Sequence, residues 1–196
     1  MEMVNLLLLA IVVFFIMSNF LEKKSSSREF IQNYCFPDKV SVMLREKYAH
    51  LTDEEIADVL VALKQYFLIS RERGNDMVSM PSKVVDVAWH EFILFTRDYE
   101  KFCRQAFGQF LHHTPAEAME SNKVMDEGMR RAWRWLAILE ELDPANPARL
   151  PLLFAIDQRL NIPDGNFYEI HPTKKGYRRI GEHQGVSGGS KNLNCG

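Results

Sequence analysis

Cysteine is scarce in this chain: Cys35, Cys103 and Cys195 are widely spaced and odd in number. That excludes a disulfide framework, and without a C-x-x-C pair it excludes a cysteine-rich structural zinc site. A reducing compartment is the simpler expectation. No charge of one sign dominates. The formal net charge is −2, so no global field favours nucleic acid or an acidic surface. A glycine-rich phosphate loop, a nucleophile elbow and an H-E-x-x-H helix are all missing, which removes the best-marked enzyme classes. Runs of alternating strand residues are missing too, so the expected fold is all-α. What remains is 196 residues, 46% of them apolar, enough for one domain with its own core.

One long apolar run is present. Leu6 to Met17 (LLLLAIVVFFIM) is unbroken, and its extension over 3–21 adds only Asn5, Ser18 and Asn19 as polar residues. As a helix this extension measures about 28 Å, close to the hydrocarbon core of a bilayer. Met1-Glu2-Met3 carries no base and Ser18-Asn19-Phe20-Leu21 offers no small-residue cleavage pattern, which argues against a signal peptide. The run predicts an uncleaved single-pass anchor over residues 1–21. Lys23, Lys24 and Arg28 follow it, so the positive-inside rule places the rest in the cytoplasm, at the cell membrane. Glu22 to Arg28 (EKKSSSR) reads as the core of a polar linker over 22–29.

Residues 30–165 read as a compact multi-helix domain. Leu51-Thr52-Asp53-Glu54-Glu55-Ile56 carries a capping box and a hydrophobic staple, followed by the stripe Ile56, Val59, Leu60, Leu63 and Phe67. That helix should end near Arg73-Gly74-Asn75. A second helix is expected from about Ser82 to Cys103 or beyond. A third should start at Thr114-Pro115-Ala116-Glu117, with a core stripe of Met125, Met129, Ala132, Trp133, Leu136 and Leu139. A shorter helix covers Leu150 to Leu160. Residues 166–196 read as an irregular segment ending in a flexible Gly-rich tail.

The chemistry concentrates between Asp86 and Pro115. Asp86 and His90 stand four apart and share a helix face, with Arg97 near the same line. His112 and His113 follow where the chain leaves the helix before Thr114-Pro115. Asp86, His90 and one or both of His112 and His113 can therefore converge as nitrogen and oxygen ligands suited to zinc or iron. The alternative is a hydrogen-bonded structural network in which Asp86 orients His90. On that reading His90→Ala leaves a buried Asp86 unpaired and destabilises the domain. Cys103 falls on another line with Trp89, Phe92, Thr96 and Tyr99 and reads as a core thiol. Arg130-Arg131-Ala132-Trp133-Arg134-Trp135 mixes bases with aromatics, but Trp133 belongs to the core stripe and Glu127 can pair with Arg131, so nucleic acid is not expected as a partner.

Asp86-Val87-Ala88-Trp89-His90, Ile93-Leu94-Phe95-Thr96, Tyr99, Phe102-Cys103 and His112-His113-Thr114-Pro115 together resemble the motif of the glycine-rich domain-containing protein-like family, in a short bacterial-type form. The likeness covers Pro81 to Pro115 and, more loosely, Leu150 to Gly165. The end Asn194-Cys195-Gly196 is similar to a shortened Gly/Cys-rich tail. Many such relatives have a second histidine two positions after the Trp-His pair, where this chain has Phe92. The resemblance implies no particular reaction. Two functions are therefore expected side by side. One is a membrane-anchored cytoplasmic helical module that binds or scaffolds, with a protein partner docking on the tail as a further expectation. The other is a zinc- or iron-dependent enzyme built on the His/Asp cluster.

Overall fold

The computed structural model describes residues 2–72, 76–113, 122–171 and 176–180. Among them lie seven helices and one short hairpin. These are α1 Glu2–Asn33, α2 Asp38–Lys47, α3 Asp53–Glu72, α4 Lys83–Ile93, α5 Thr96–Phe107, α6 Asn122–Leu139, α7 Leu152–Arg159, β1 Phe167–Ile170 and β2 Tyr177–Ile180. The tail from 181, the expected helix start at 114–117 and the turn at 73–75 fall outside the described residues.

Helix α3 is the hub, in contact with α1, α2, α4, α6 and α7. Its start follows from the sequence. The Thr52 amide donates to Glu55 Oε2 (2.8 Å) and the Glu55 amide to Thr52 Oγ1 (3.2 Å), closing the capping box, while Leu51 and Ile56 are both buried. The stripe from Ile56 to Phe67 then supplies the centre of the core, where Phe67 packs against Phe92 and Phe102. In α6, Ala132, Trp133 and Leu136 face inward, as their spacing predicts. Gly128 sits where α6 crosses the Ser79 loop. A Cβ there would lie 2.2 Å from Ser79 Oγ, so only glycine permits this approach.

The structure departs from the sequence reading in three places. First, no linker separates the apolar run from the domain, because α1 continues as one helix of 32 residues through Asn33. Three serines in a row lower helix propensity but do not break a helix, and Ser27 Oγ donates back to the Lys23 carbonyl (3.0 Å). Ile31 is fully buried and Phe30 packs on Phe102, so the domain holds the last turns of α1 in place. The apolar part stays uncovered, with Phe14 75% exposed. Among the described residues, this is the one helix long and apolar enough to cross a membrane.

Second, the expected helix from Ser82 past Cys103 is two helices, broken at Leu94 and Phe95. In a straight helix Trp89 and Tyr99, ten residues apart, would stand about 15 Å from each other. Here Trp89 Nε1 donates to Tyr99 Oη at 3.1 Å, so α5 has turned back against α4. The turn lets Trp89 and Phe92 enter the same core as Tyr99, Phe102 and Cys103. The alignment of Arg97 with His90 is lost with the register, and Arg97 lies exposed on α5.

Third, the fold is mostly helical rather than all-α. Residues 167–170 and 177–180 pair antiparallel, in the register Phe167 to Ile180 and Ile170 to Tyr177. Tyr168 and Tyr177 pack against Phe154 on α7, and Tyr177 also meets Trp133 on α6. Glu169 pairs with Arg178 across the strands. Strands this short are stable only when their aromatic side chains reach a core. That need explains why two four-residue runs escape a search for alternation.

Burial raises several phenols. It pushes Tyr177 up to about 12, with Asp126 adding to the effect and Arg130 opposing it, and it pushes Tyr99 and Tyr168 higher still. A phenol raised above its unfolded value of about 10 holds its proton longer in the folded chain. Stability from these groups is therefore complete below about pH 10 and falls as pH rises past it. An ultraviolet phenolate titration should show these three tyrosines ionising only as the chain unfolds. A smooth titration of every tyrosine near pH 10, with the fold intact, would contradict it.

Candidate metal centre

The site is assembled from α4 and the segment after α5. Helix α4 starts at Ser82, whose Oγ accepts from the Val85 amide (3.2 Å) and donates to Asp157 Oδ1 (2.7 Å). Asp157 itself is only 1% exposed. Its carboxylate also accepts from the amides of Lys83 (2.6 Å), Val84 (3.2 Å) and Asn166 (2.8 Å). A negative group thus meets the free amides and positive dipole end of α4 and ties that helix to α7 and the hairpin.

One turn into α4, Asp86 and His90 share a face as the spacing predicts. His90 Nδ1 lies 2.8 Å from the Asp86 carbonyl oxygen and 3.4 Å from Asp86 Oδ2. A carbonyl only accepts, so Nδ1 is the donor in this bond.

His113 arrives from the other direction. Helix α5 ends at Gly108, which takes the left-handed cap at φ 74°. The next residues run back over α4 and are pinned there by a buried chain of donors. Trp89 Nε1 donates to Tyr99 Oη, and Tyr99 Oη donates to the Leu111 carbonyl at 2.6 Å. Two residues on, the His113 ring meets Trp89 (centroids 4.6 Å apart) and His90 (4.1 Å), and His113 Nε2 lies 3.1 Å from Asp86 Oδ1. Two ligands bound to one ion at about 2.0–2.2 Å stand at a similar separation.

Asp86, His90 and His113 each offer one donor atom within 4.8 Å of the others. The His113 side chain is 12% exposed, that of Asp86 29% and that of His90 48%, so the group is backed by Trp89 and opens outward at His90. His112 does not join it. Its ring turns to Phe110 (centroids 4.9 Å apart) and the residue is exposed. His50 Nε2 lies 3.0 Å from the Leu160 carbonyl, far along the chain from the group, and His171 closes β1. Cys103 is fully buried, and burial pushes its thiol up, as suits a core residue. In the basic and aromatic run of α6, Arg130 and Arg134 are exposed while Arg131 and Trp133 are tied into the fold. Arg131 Nε donates to the Met77 carbonyl (2.7 Å) and Trp133 Nε1 to the Pro144 carbonyl (3.0 Å).

Two features carried weight that sequence reasoning did not assign. Asp157 was read only as part of a short helix, and Tyr99 as an apolar-line residue. The expected cost of His90→Ala also changes. Asp86 is not buried and keeps His113 as a partner, so truncating the half-exposed His90 leaves no buried charge alone. Tyr99→Phe should cost more. It strands the Leu111 carbonyl and the Trp89 indole N–H in the core, for about 1–3 kcal/mol. Thermal melts of the variant should show that loss, together with faster amide exchange over 111–113. An unchanged melt would mean that the hydroxyl does not hold the segment.

Fold and site thus define a class: a small helical domain on an apolar helix, with an outward-facing group of two imidazoles and a carboxylate. Residues 26–189 match the UCP032817-like family, and the chain belongs to that family. This corrects the resemblance to the glycine-rich domain-containing protein-like family, which was drawn mainly from positions between Pro81 and Pro115. No curated protein and no solved structure matches the chain.

Proposed function

We propose that this chain is a membrane-anchored module presenting a mononuclear zinc or iron centre held by Asp86, His90 and His113. The observation that carries the reading is the convergence of three donor atoms from two separate elements within 4.8 Å, on the outward side of a rigid aromatic backing. Two nitrogens and one carboxylate oxygen suit zinc, and they are also the ligand set of non-haem iron(II) sites. Three protein ligands leave coordination positions free for water or an exogenous ligand. When bound, the metal would supply Lewis acidity there. Asp86 and the backbone bond at His90 fix the donors, while Trp89 keeps water from the inner side.

That open arrangement favours a second reading, a metal-dependent enzyme acting on a substrate that reaches the His90 side. Binding or scaffolding without metal is the remaining possibility, and it treats the same three residues as a hydrogen-bonded network. In this reading α1 is the anchor, and Lys23, Lys24 and Arg28 just after its apolar run support a cytoplasmic domain at the cell membrane.

Full-length chain purified in mild detergent and offered zinc or iron(II) should retain about one equivalent after desalting. Retention below about a tenth of an equivalent would overturn the metal reading and leave the network. Alkaline carbonate washing should leave the chain in the membrane pellet. Its release into the supernatant would overturn the anchor.

A further inference from the structure

A cavity of about 440 Å³ lies where the apolar half of α1 gives way to its polar half. Its floor is Leu68, Ile69, Trp135 and Leu139, from the last turns of α3 and α6. Leu21 and Ile138, each 58% exposed, stand at the mouth. The volume falls in the range of small-molecule sites, ~300–1,000 Å³. The rim is charged. Lys24 Nζ pairs with Glu72 Oε2 (2.5 Å), and Glu72 also meets Arg71 Nη1 (3.1 Å). Glu72 is therefore answered twice over, and Arg28 has no acidic partner among the described residues. The rim keeps a net positive charge.

We infer that this cavity holds one anionic phospholipid from the leaflet that α1 enters, its acyl chain on the apolar floor and its phosphate at Arg28 and Lys24. The inference rests on the anchor reading of α1 and is independent of the metal centre. Two observations select a lipid over other occupants. The first is continuity. Leu21 is both the last apolar residue of the run and a wall of the cavity, and α1 is unbroken from one to the other, so the cavity mouth meets the membrane surface directly. The second is complementarity. Apolar side chains and the basic Lys24 and Arg28 line the same cavity, which matches the two chemistries of a lipid, acyl chain and phosphate. Lys24 and Arg28 stand one helical turn apart on one face, about 6 Å along the axis, which lets both reach one headgroup.

The test uses full-length chain in phosphatidylcholine vesicles containing phosphatidylglycerol, with bromine on the acyl chains of one lipid at a time. Trp89 and Trp133 are buried and Trp135 lines the cavity, so quenching of tryptophan fluorescence reads occupancy at Trp135. Brominated phosphatidylglycerol should quench more than phosphatidylcholine at equal density, and Trp135→Phe should remove the difference. Arg28→Gln changes an exposed side chain and should lower the preference about fivefold. Equal quenching by both lipids, or a preference untouched by Arg28→Gln, would overturn the inference. So would no quenching of a chain that floats with the vesicles. A chain that fails to float overturns the anchor, and the lipid site with it.

Discussion

Asp157→Ala should be the most damaging single substitution in the helical domain of this protein. It removes the acceptor of four hydrogen bonds at once, those of the Ser82 hydroxyl and of the Lys83, Val84 and Asn166 amides. Ser82 and Val84 are buried at or below 1% exposure, so water does not replace the carboxylate without opening the core. Each stranded group costs about 1–3 kcal/mol, and the favourable charge at the start of α4 is lost as well. The expected loss is about 4 kcal/mol or more, a large share of the 5–15 kcal/mol that typically holds a domain together. For a chain of this size it should lower Tm by about 10 °C. Asp157→Asn keeps the shape but turns a donor toward donors, so it should recover little. A melt of Asp157→Ala within about 2 °C of the parent would show that the carboxylate does not organise α4.

The second large effect concerns the metal. His113→Ala should weaken zinc or iron(II) binding by ~100-fold or more, and His90→Ala and Asp86→Ala similarly, since even residues behind the ligands typically contribute 10–100-fold. His112→Ala should leave affinity within about twofold, because its ring lies against Phe110 outside the group. That contrast between adjacent histidines separates the metal reading from general surface binding. It also separates it from the structural network. Saturating metal at about 100 times the parent Kd should stabilise the parent by about 2.7 kcal/mol and His113→Ala by about 0.4 kcal/mol or less. If His113→Ala instead lowers the melt of the metal-free chain and metal changes neither protein, the three residues are a structural network only.

The parts of this fold that were legible in the sequence are the local ones. Thr52 and Glu55 announce the start of α3 because both partners of the capping box lie three residues apart. Asp86 and His90 declare a shared face because helical spacing alone brings them together. The convergence of His113 needed more. Its approach depends on the turn at Leu94 and Phe95, and no glycine or proline marks that turn. It is dictated by the burial of Phe92, Tyr99 and Phe102 in one core, which is a tertiary demand. Thr96 with Asp98 in the first turn of α5 is the only local sign of a new helix start. Asp157 is a stronger case. Its partners on α4 lie 73 to 75 residues away, and nothing near Asp157 distinguishes it from a surface carboxylate. The linker misread has the opposite origin. Ser25-Ser26-Ser27 carries a local polar signal, but burial of Ile31 beyond it keeps α1 whole. The family resemblance was likewise drawn from a local motif, whereas the match to the UCP032817-like family runs over 26–189.

X-ray absorption at the metal edge of zinc-loaded, full-length protein tests the central claim most directly. The account predicts nitrogen and oxygen neighbours at about 2.0–2.2 Å with the outer-shell signature of two imidazoles, and loss of one imidazole in His113→Ala. A sulfur neighbour at about 2.3 Å, or a shell of oxygen alone, would contradict it.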